Sequence, residues 1–222
     1  RKIIPGYNMP KFKLYTEKVK FKYDPQVLKQ KGALYLDGTW QSYKYFEKIR
    51  ETVLDSFSFK NNSKPANKKL LAKINNCQSV CLHIRRGDYL KNDHMKNIYQ
   101  VFGLDYYSKC ITALKRKIKN PHFFVFSDDL NWVKKNLKIS GKVDYVKGDI
   151  DNGIEDLKLM ANCKYFIIAN STFSWWAAWL SGNPQKIVYC PKKWLNVKGF
   201  DKSVKAADNF KDLIPENWIK MG

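Results

Sequence analysis

The stretch Ser79-Val80-Cys81-Leu82-His83-Ile84-Arg85-Arg86-Gly87-Asp88-Tyr89 determines how the rest of the chain is interpreted. Its mostly apolar first half runs into a turn signal at Gly87-Asp88, which predicts a buried strand. Two of the five arginines in the chain, Arg85 and Arg86, stand together at the end of this strand. Arginine offers a planar fork of donors that matches phosphate oxygens, and open α/β sheets bind ligands beyond the carboxyl ends of strands. The stretch therefore favours a diphosphate site, with a pair of surface arginines as the alternative.

Strand and helix patterns alternate after Cys77, which predicts a parallel sheet of Rossmann type in residues 77–222. The predicted strands are 79–84, 122–126, 143–146, 164–169 and 187–189. The predicted helices are 106–118, 131–137, 152–161 and 173–180, with a last one beginning near Asn209.

Upstream, the pattern predicts a strand at 33–36 and a helix with Phe46, Ile49, Val53 and Phe57 on one face. The polar, proline-broken segment 60–69 is interpreted as a linker or domain boundary, and 89–104 as a polar loop.

Polar clusters follow three of the predicted strands, and parallel strands bring such clusters to one edge of a sheet. The clusters are Arg85-Arg86-Gly87-Asp88, Ser127-Asp128-Asp129 and Asn170-Ser171-Thr172. The third also opens a helix, whose backbone N–H groups can receive a phosphate, although capping alone would explain its residue types. No Gly-x-Gly-x-x-Gly or Walker sequence occurs. The convergence of these clusters favours a nucleotide-type site, with Asp128 among the residues that would bind the nucleotide.

The composition of the chain limits the kinds of partner that it can bind. A net charge of +21 and a pI near 9.7 indicate a polyanionic partner, peripheral contact with an anionic membrane, or simply a lysine-rich surface. Apolar runs are too short to cross a bilayer. Five widely spaced cysteines predict buried free thiols rather than a disulfide framework, which fits a reducing cytoplasm.

Two stretches resemble a known family. Residues 83–89 resemble the His-x-Arg-Arg-Gly-Asp-Tyr motif of the α-1,2-fucosyltransferases of bacterial type. Residues 167–180, which contain Asn-Ser-Thr-Phe-Ser-Trp-Trp, resemble the second hallmark of this family. The segments 103–107, 127–129 and 155–160 also fit, and weaker similarity reaches back to 35–41. The resemblance covers roughly residues 33–195 in a consistent order.

This resemblance implies a two-lobed glycosyltransferase of the GT-B type that needs no metal or other cofactor. Residues 1–76 would be a remnant of the N-terminal, acceptor-side lobe, and 77–222 the lobe that binds GDP-fucose. The implied reaction transfers L-fucose from GDP-β-L-fucose to the 2-hydroxyl of a terminal β-galactose on a glycan, with inversion to an α linkage. Residues 1–76 contain no match to the family's Gly-Gly-x-Gly-Asn-Gln-type motif, so we expect an incomplete first lobe.

The resemblance also implies roles for individual residues. Arg86 is the first choice for stabilising the leaving β-phosphate, with Arg85 beside it or structural. Donor-binding roles also fall on His83, on Asp156 toward the guanosine, and on Asn170, Ser171 and Thr172 toward phosphate. The acceptor hydroxyl must lose a proton, for which Asp88 is the candidate base and Asp93 the alternative. Asp88 could instead be a turn residue or hold an arginine in place.

Three rival interpretations remain at this point. Asp149-Ile150-Asp151 has the Asp-x-Asp form of a metal site, but two carboxylates in a loop are more typical of a solvated turn. The positive charge could serve a nucleic-acid-binding module, but no recognition motif is present, so we expect no nucleic-acid partner. An α-1,6- or protein O-fucosyltransferase would keep the fold and change the linkage.

Overall fold

The computed structural model describes residues 12–59, 64–91, 101–148, 153–195 and 210–222, apart from the side chains of Asp88 and Lys91. The chain divides into two compact units. The first comprises Arg1–Ile49 and Phe200–Pro215, and the second Arg50–Gly199 and Glu216–Gly222. The interpretation of 1–76 as part of an acceptor-side lobe, and the GT-B arrangement as a whole, stay predictions.

The first unit contains a two-stranded parallel sheet of β1 (Lys13–Thr16) and β2 (Leu34–Asp37), which confirms the strand predicted at 33–36. One short 3-10 helix, Val27–Lys29, lies between the two strands, and two more follow at Tyr43–Tyr45 and Glu47–Ile49.

Asp212 ties distant parts of the first unit together. Its carboxylate accepts hydrogen bonds from the Tyr23 amide at 3.0 Å and from the Lys44 ammonium at 2.6 Å. Its carbonyl accepts one from the Ser42 hydroxyl at 2.6 Å. A chain segment near residue 212 is therefore part of the scaffold formed by residues 23–44.

The second unit is a parallel α/β sheet with helices between the strands. Its helices are α1 (Arg50–Ser56), α2 (Pro65–Asn75), α3 (Gly87–Lys91), α4 (Leu104–Lys117), α5 (Leu130–Asn136), α6 (Gly153–Ala161) and α7 (Thr172–Leu180). Its strands are β3 (Gln78–Ile84), β4 (Pro121–Ser127), β5 (Lys142–Val146), β6 (Tyr165–Ile167), β7 (Val188–Pro191) and β8 (Ile219–Met221).

The strand order is β5-β4-β3-β6-β7-β8, and every described pair is parallel. Counted along the chain this is the doubly wound order 3-2-1-4-5-6, in which the direction of winding reverses between β3 and β6. β3 is buried on both faces, since its residues from Ser79 to Ile84 are all buried, as is typical of a central parallel strand covered by helices. The predicted α/β sheet is confirmed.

The carboxyl end of α7 is closed by two basic side chains, of which Lys186 has its pKa lowered to about 7 by burial and by the charge of Arg50. Lys186 donates hydrogen bonds to the carbonyls of Ala178, Trp179 and Ser181 at 2.8, 3.3 and 2.9 Å. Arg50 donates to the carbonyls of Trp179 and Ser181 at 2.8 and 3.1 Å. Positive charge is favourable here because the last carbonyls of a helix lack partners and carry its negative dipole end.

Three sequence predictions need correction. The helix predicted through Phe46 is wrong in its first half, which is 3-10 helix up to Ile49. The segment 60–69 is not all linker, because α2 begins at Pro65, where a proline can start a helix without losing a hydrogen bond. The loop predicted at 89–104 is helical at its beginning, since α3 continues to Lys91.

The helix predicted from Asn209 is also wrong over the described residues 210–222. Phe210 adopts a left-handed φ of 61°, and Pro215 lacks the N–H that a helix would need there. The chain forms turns instead and then adds β8 as the sixth strand, next to β7. The cysteine prediction is confirmed: Cys81, Cys110, Cys163 and Cys190 are buried free thiols, and Cys77 is half-buried.

Candidate functional site

The carboxyl ends of the strands bring the predicted polar clusters to one edge of the sheet. Ile84 is paired with Ser127, and Leu82 with Ile167, so the chain leaves β3, β4 and β6 at the same edge. The winding reverses between β3 and β6, and such a switch point is where open α/β sheets bind ligands. The convergence predicted from the sequence is therefore present.

A cavity of about 580 Å³ opens at this edge, beyond the ends of β3, β4 and β5. Such a volume is within the range of small-molecule and cofactor sites. Its walls include six residues of chemical interest: His83, Arg85, Asp128, Lys147, Asp156 and Phe173. Four of these, all except Lys147 and Phe173, were predicted as site residues.

Asp128 holds the turn that carries the two arginines. Its two carboxylate oxygens accept hydrogen bonds from the backbone amides of Arg86 and Gly87, each at 3.0 Å. The Nε of Arg85 lies 3.5 Å from the same carboxylate. These amides belong to the first turn of α3, where N–H groups have no partner within the helix. A carboxylate from β4 thus fixes the geometry of the loop after β3.

Arg86 is not among the residues that line the cavity, and its side chain lies against α5. Its Nε lies 3.3 Å from Asp129, and its guanidinium carbon lies 3.8 Å from the centre of the Trp132 ring. Asp129 in turn caps α5 by accepting a hydrogen bond from the Trp132 amide at 3.2 Å. Of the two arginines, Arg85 lines the cavity, whereas Arg86 stacks on Trp132 beside it.

His83 lies near the end of β3 and is buried. Burial, with a smaller contribution from the positive charge of Arg85, lowers the pKa of its imidazole to about 4. The ring is therefore neutral at pH 7. Its Nδ1 is buried and has no hydrogen-bond partner among the described residues, which is a costly state for a polar atom. A neutral ring with free hydrogen-bonding capacity is suited to a polar ligand group.

Asp156 projects from the first turn of α6 into the cavity wall. It faces Gly148, which follows β5. A Cβ at position 148 would lie 2.9 Å from the Asp156 carboxylate oxygen, closer than real Cβ contacts. Glycine at 148 therefore leaves the room that this carboxylate occupies. Sequence reasoning missed Gly148 and Lys147; the available signal was a glycine two residues after a predicted strand.

The third predicted cluster opens α7 but does not line the cavity. Asn170 is buried, donates to the carbonyl of Trp194 at 2.9 Å, and its own carbonyl accepts the Tyr89 hydroxyl at 3.2 Å. Ser171 is at the N-cap position without a side-chain cap, and Thr172 is exposed. Asn170 is thus a structural link across the switch point.

Some predicted residues lie outside what the structure describes. These are the side chain of Asp88, Asp93, and the Asp149-Ile150-Asp151 segment of the rival metal interpretation. Among the residues that the structure describes, no group of three potential metal-ligating side chains occurs. None of the described helices combines the length and hydropathy that a membrane span requires.

The fold and the cavity define an α/β protein with a parallel sheet and a cavity at the carboxyl edge of its strands. The chain belongs to glycosyl transferase family 11, whose sequence model matches residues 12–220. This confirms the family resemblance seen in the two hallmark stretches.

The chain is similar to several named members. It is 38% identical over 193 residues to an alpha-1,2-colitosyltransferase of Escherichia coli, which covers 86% of this chain and 63% of that protein. It is 35% identical over 147 residues to the O-antigen biosynthesis glycosyltransferase WbnK of the same species, covering 66% and 45%. A galactoside 2-alpha-L-fucosyltransferase of Caenorhabditis elegans is 28% identical over 203 residues, covering 85% and 53%. The chain thus spans less than two thirds of the length of these relatives.

Proposed function

We propose that the chain binds GDP-β-L-fucose in the cavity at the carboxyl edge and transfers L-fucose, with inversion, to the 2-hydroxyl of a terminal β-galactose of a glycan. The observation that carries this proposal is the cavity itself, which has a guanidinium at the end of β3 and a carboxylate on α6. A diphosphate and a guanosine need these two kinds of group.

The chemistry assigned to the site is electrostatic. When the bond between the sugar and GDP breaks, negative charge develops on the β-phosphate, and fixed cationic donors stabilise it. Arg85 is already in the cavity wall, which supports a direct role for it. Arg86, the first choice from the sequence, would act through the guanidinium N–H groups that its contact with Asp129 leaves free. Such stabilisation needs no metal, and we propose a metal-independent reaction.

The remaining candidate residues are assigned to the guanosine, to the phosphates and to the acceptor hydroxyl. Asp156 would accept hydrogen bonds from the guanosine, and neutral His83 would hydrogen-bond the donor. Asn170, Ser171 and Thr172 stay proposals for donor contacts at the start of α7. Asp88 remains the candidate base and Asp93 its alternative. An oxocarbenium-like transition state would keep the demand for base assistance small.

A second donor sugar is favoured by one observation. The E. coli relative at 38% identity is named as an alpha-1,2-colitosyltransferase, whereas the C. elegans relative at 28% is named as a fucosyltransferase. Colitose is L-fucose without its 3-hydroxyl, so the two donors differ by one polar group. The names share the 1,2 linkage, which favours that linkage over an α-1,6- or protein O-fucosyltransferase.

Calorimetry of GDP against ADP and UDP, repeated with excess EDTA, tests the proposal. We expect tight binding of GDP alone, unchanged by EDTA. Equal affinity for all three nucleotides would contradict the assignment. Product formation from GDP-fucose and GDP-colitose with a β-galactoside then decides the donor.

Arginine-to-lysine substitutions separate the two guanidinium groups. If Arg85 contacts the diphosphate, Arg85→Lys loses GDP affinity and turnover, because a point charge replaces a fork. If Arg86 carries the role, Arg86→Lys shows the larger loss. Normal GDP binding in both variants would remove the diphosphate site from this turn.

A further inference from the structure

A basic face lies at the amino edge of the sheet, opposite the candidate nucleotide site. We define it by Lys115, Arg116, Lys119, Lys138 and Lys142. Lys115 and Arg116 lie in the last turn of α4, Lys119 lies between α4 and β4, Lys138 follows α5, and Lys142 begins β5. All except Lys115, which is half-buried, are exposed.

Acidic residues are missing from the segments that build this face. No Asp or Glu occurs in 106–127 or in 130–143. The nearest acid along the chain is Asp144. Its carboxylate is occupied by the Lys73 ammonium at 2.5 Å and by the His122 ring at 2.6 Å. Asp128 and Asp129 lie at the other edge of the sheet. The positive charge of the basic face is therefore not neutralised by these neighbours.

The face is shaped as well as charged. Two adjoining depressions of about 350 and 780 Å³ lie on it, and they share Lys115 and Ser140. Lys115 donates a hydrogen bond to the Ser140 carbonyl at 2.5 Å, which fixes the loop before β5 against α4. Ile111, Ile118 and Pro121 add apolar surface to the walls. Each depression thus has cations around a partly apolar floor.

The helix dipole does not account for all of this charge. Cations at the carboxyl end of a helix are favourable, and Lys115 and Arg116 can serve that purpose. The dipole effect is confined to the last turn, whereas Lys119, Lys138 and Lys142 lie beyond the helix ends. Their concentration at one edge therefore indicates an anionic partner.

We propose that this basic face docks on an anionic membrane surface, with phosphate-bearing lipid headgroups in the two depressions. Four of its five cations are lysines, which attract phosphates as point charges and whose stems pack on apolar surface. No aromatic side chain lines either depression, whereas single-stranded nucleic acid is bound by stacking on aromatic rings. β4, with seven residues, spans about 20 Å, so the nucleotide cavity would face solution.

The test is flotation of the full chain with vesicles of phosphatidylcholine alone and of phosphatidylcholine mixed with phosphatidylglycerol, at increasing salt. The face variant carries Lys119→Glu, Lys138→Glu and Lys142→Glu. The matched control, with the same change in net charge, carries Lys29→Glu, Lys31→Glu and Lys48→Glu, which are exposed residues of the first unit.

We expect binding only to vesicles that contain phosphatidylglycerol. The face variant should lose at least about tenfold in partition, and the control less than about twofold. Equal losses in the two variants, or no wild-type binding to anionic vesicles, would overturn the proposal. So would a face variant that loses affinity for duplex DNA and keeps its affinity for vesicles. Lysine-to-glutamine versions and unfolding midpoints show that any loss is not due to misfolding. The result does not depend on the proposed glycosyl transfer.

Discussion

Replacing Asp128 by asparagine tests whether one carboxylate organises the arginine turn. The wild-type side chain accepts two backbone amides, those of Arg86 and Gly87, with one oxygen each. Asparagine has a single acceptor oxygen, so its NH₂ group would face one of these N–H donors. A hydrogen bond to a charged group contributes about 1.5–3 kcal/mol, and the Asp128 side chain is 20% exposed. We therefore expect a loss of about 2 kcal/mol in the free energy of unfolding.

The neighbouring Asp129→Asn is the matched control. Its cap on the Trp132 amide survives, because asparagine caps helices as well as aspartate does. Its NH₂ group takes the place of the oxygen that the Arg86 Nε contacts, and losing this partly exposed pair costs less than about 1 kcal/mol. Urea unfolding followed by tryptophan fluorescence measures both variants.

Calorimetry with GDP then shows whether the turn matters for the cavity. Because Arg85 is carried by this turn, Asp128→Asn should raise the Kd of GDP about tenfold, whereas Asp129→Asn should change it less. Equal unfolding free energies in the two variants would refute the structural reasoning. A destabilised Asp128→Asn protein with wild-type GDP affinity would refute the link between turn and site.

Three further predictions concern other parts of the second unit. Unfolded histidine has a pKa of 6.5, whereas burial lowers the pKa of His83 to about 4. Lowering the pH from 7 to 5 should therefore reduce the free energy of unfolding of the wild type by about 2 kcal/mol more than that of His83→Phe, as measured by urea unfolding. The same dependence of unfolding free energy on pH in both proteins would contradict this. Gly148→Ala should weaken GDP binding in calorimetry, because the added Cβ would displace the Asp156 carboxylate. The control Gly182→Ala should leave GDP binding unchanged, since the space around its Cβ position is open. Equal effects of the two variants would argue against crowding at Asp156. Arg50→Met and Lys186→Met should each lower the free energy of unfolding by about 1–2 kcal/mol, as measured by urea unfolding. The double variant should lose more than the sum of the two, because both side chains donate to the carbonyls of Trp179 and Ser181. Strictly additive losses would show that neither side chain compensates for the other.

The sequence predicts the central strands well because β3, β4 and β7 are largely buried and appear as mostly apolar runs. The strand predicted at 79–84 is observed as Gln78–Ile84. β8 was missed for a physical reason. Three residues, Ile219–Met221, carry too little pattern, and their extended conformation depends on the free edge of β7. Tertiary pairing decides such a segment, not local preference.

Prediction of the candidate site is limited in the same way, by contacts between distant segments. Strand ends predicted which clusters meet, since that follows from topology alone. They could not predict which arginine lines the cavity, because the direction of Arg86 is set by Trp132 and Asp129, more than forty positions along the chain. They likewise could not show that Asn170 is used by Trp194 and Tyr89. Orientation depends on contacts between segments, and residue types alone do not encode those.

The position of Asp212 has a consequence for synthesis on the ribosome. Its partners Tyr23, Ser42 and Lys44 precede it by 189, 170 and 168 positions. These bonds cannot form until residue 212 has left the exit tunnel, so a segment made before the strands β3 to β7 is completed after them. Nascent chains stalled before residue 212 should therefore expose residues 12–49 to proteases while the sheet of residues 78–191 is already protected.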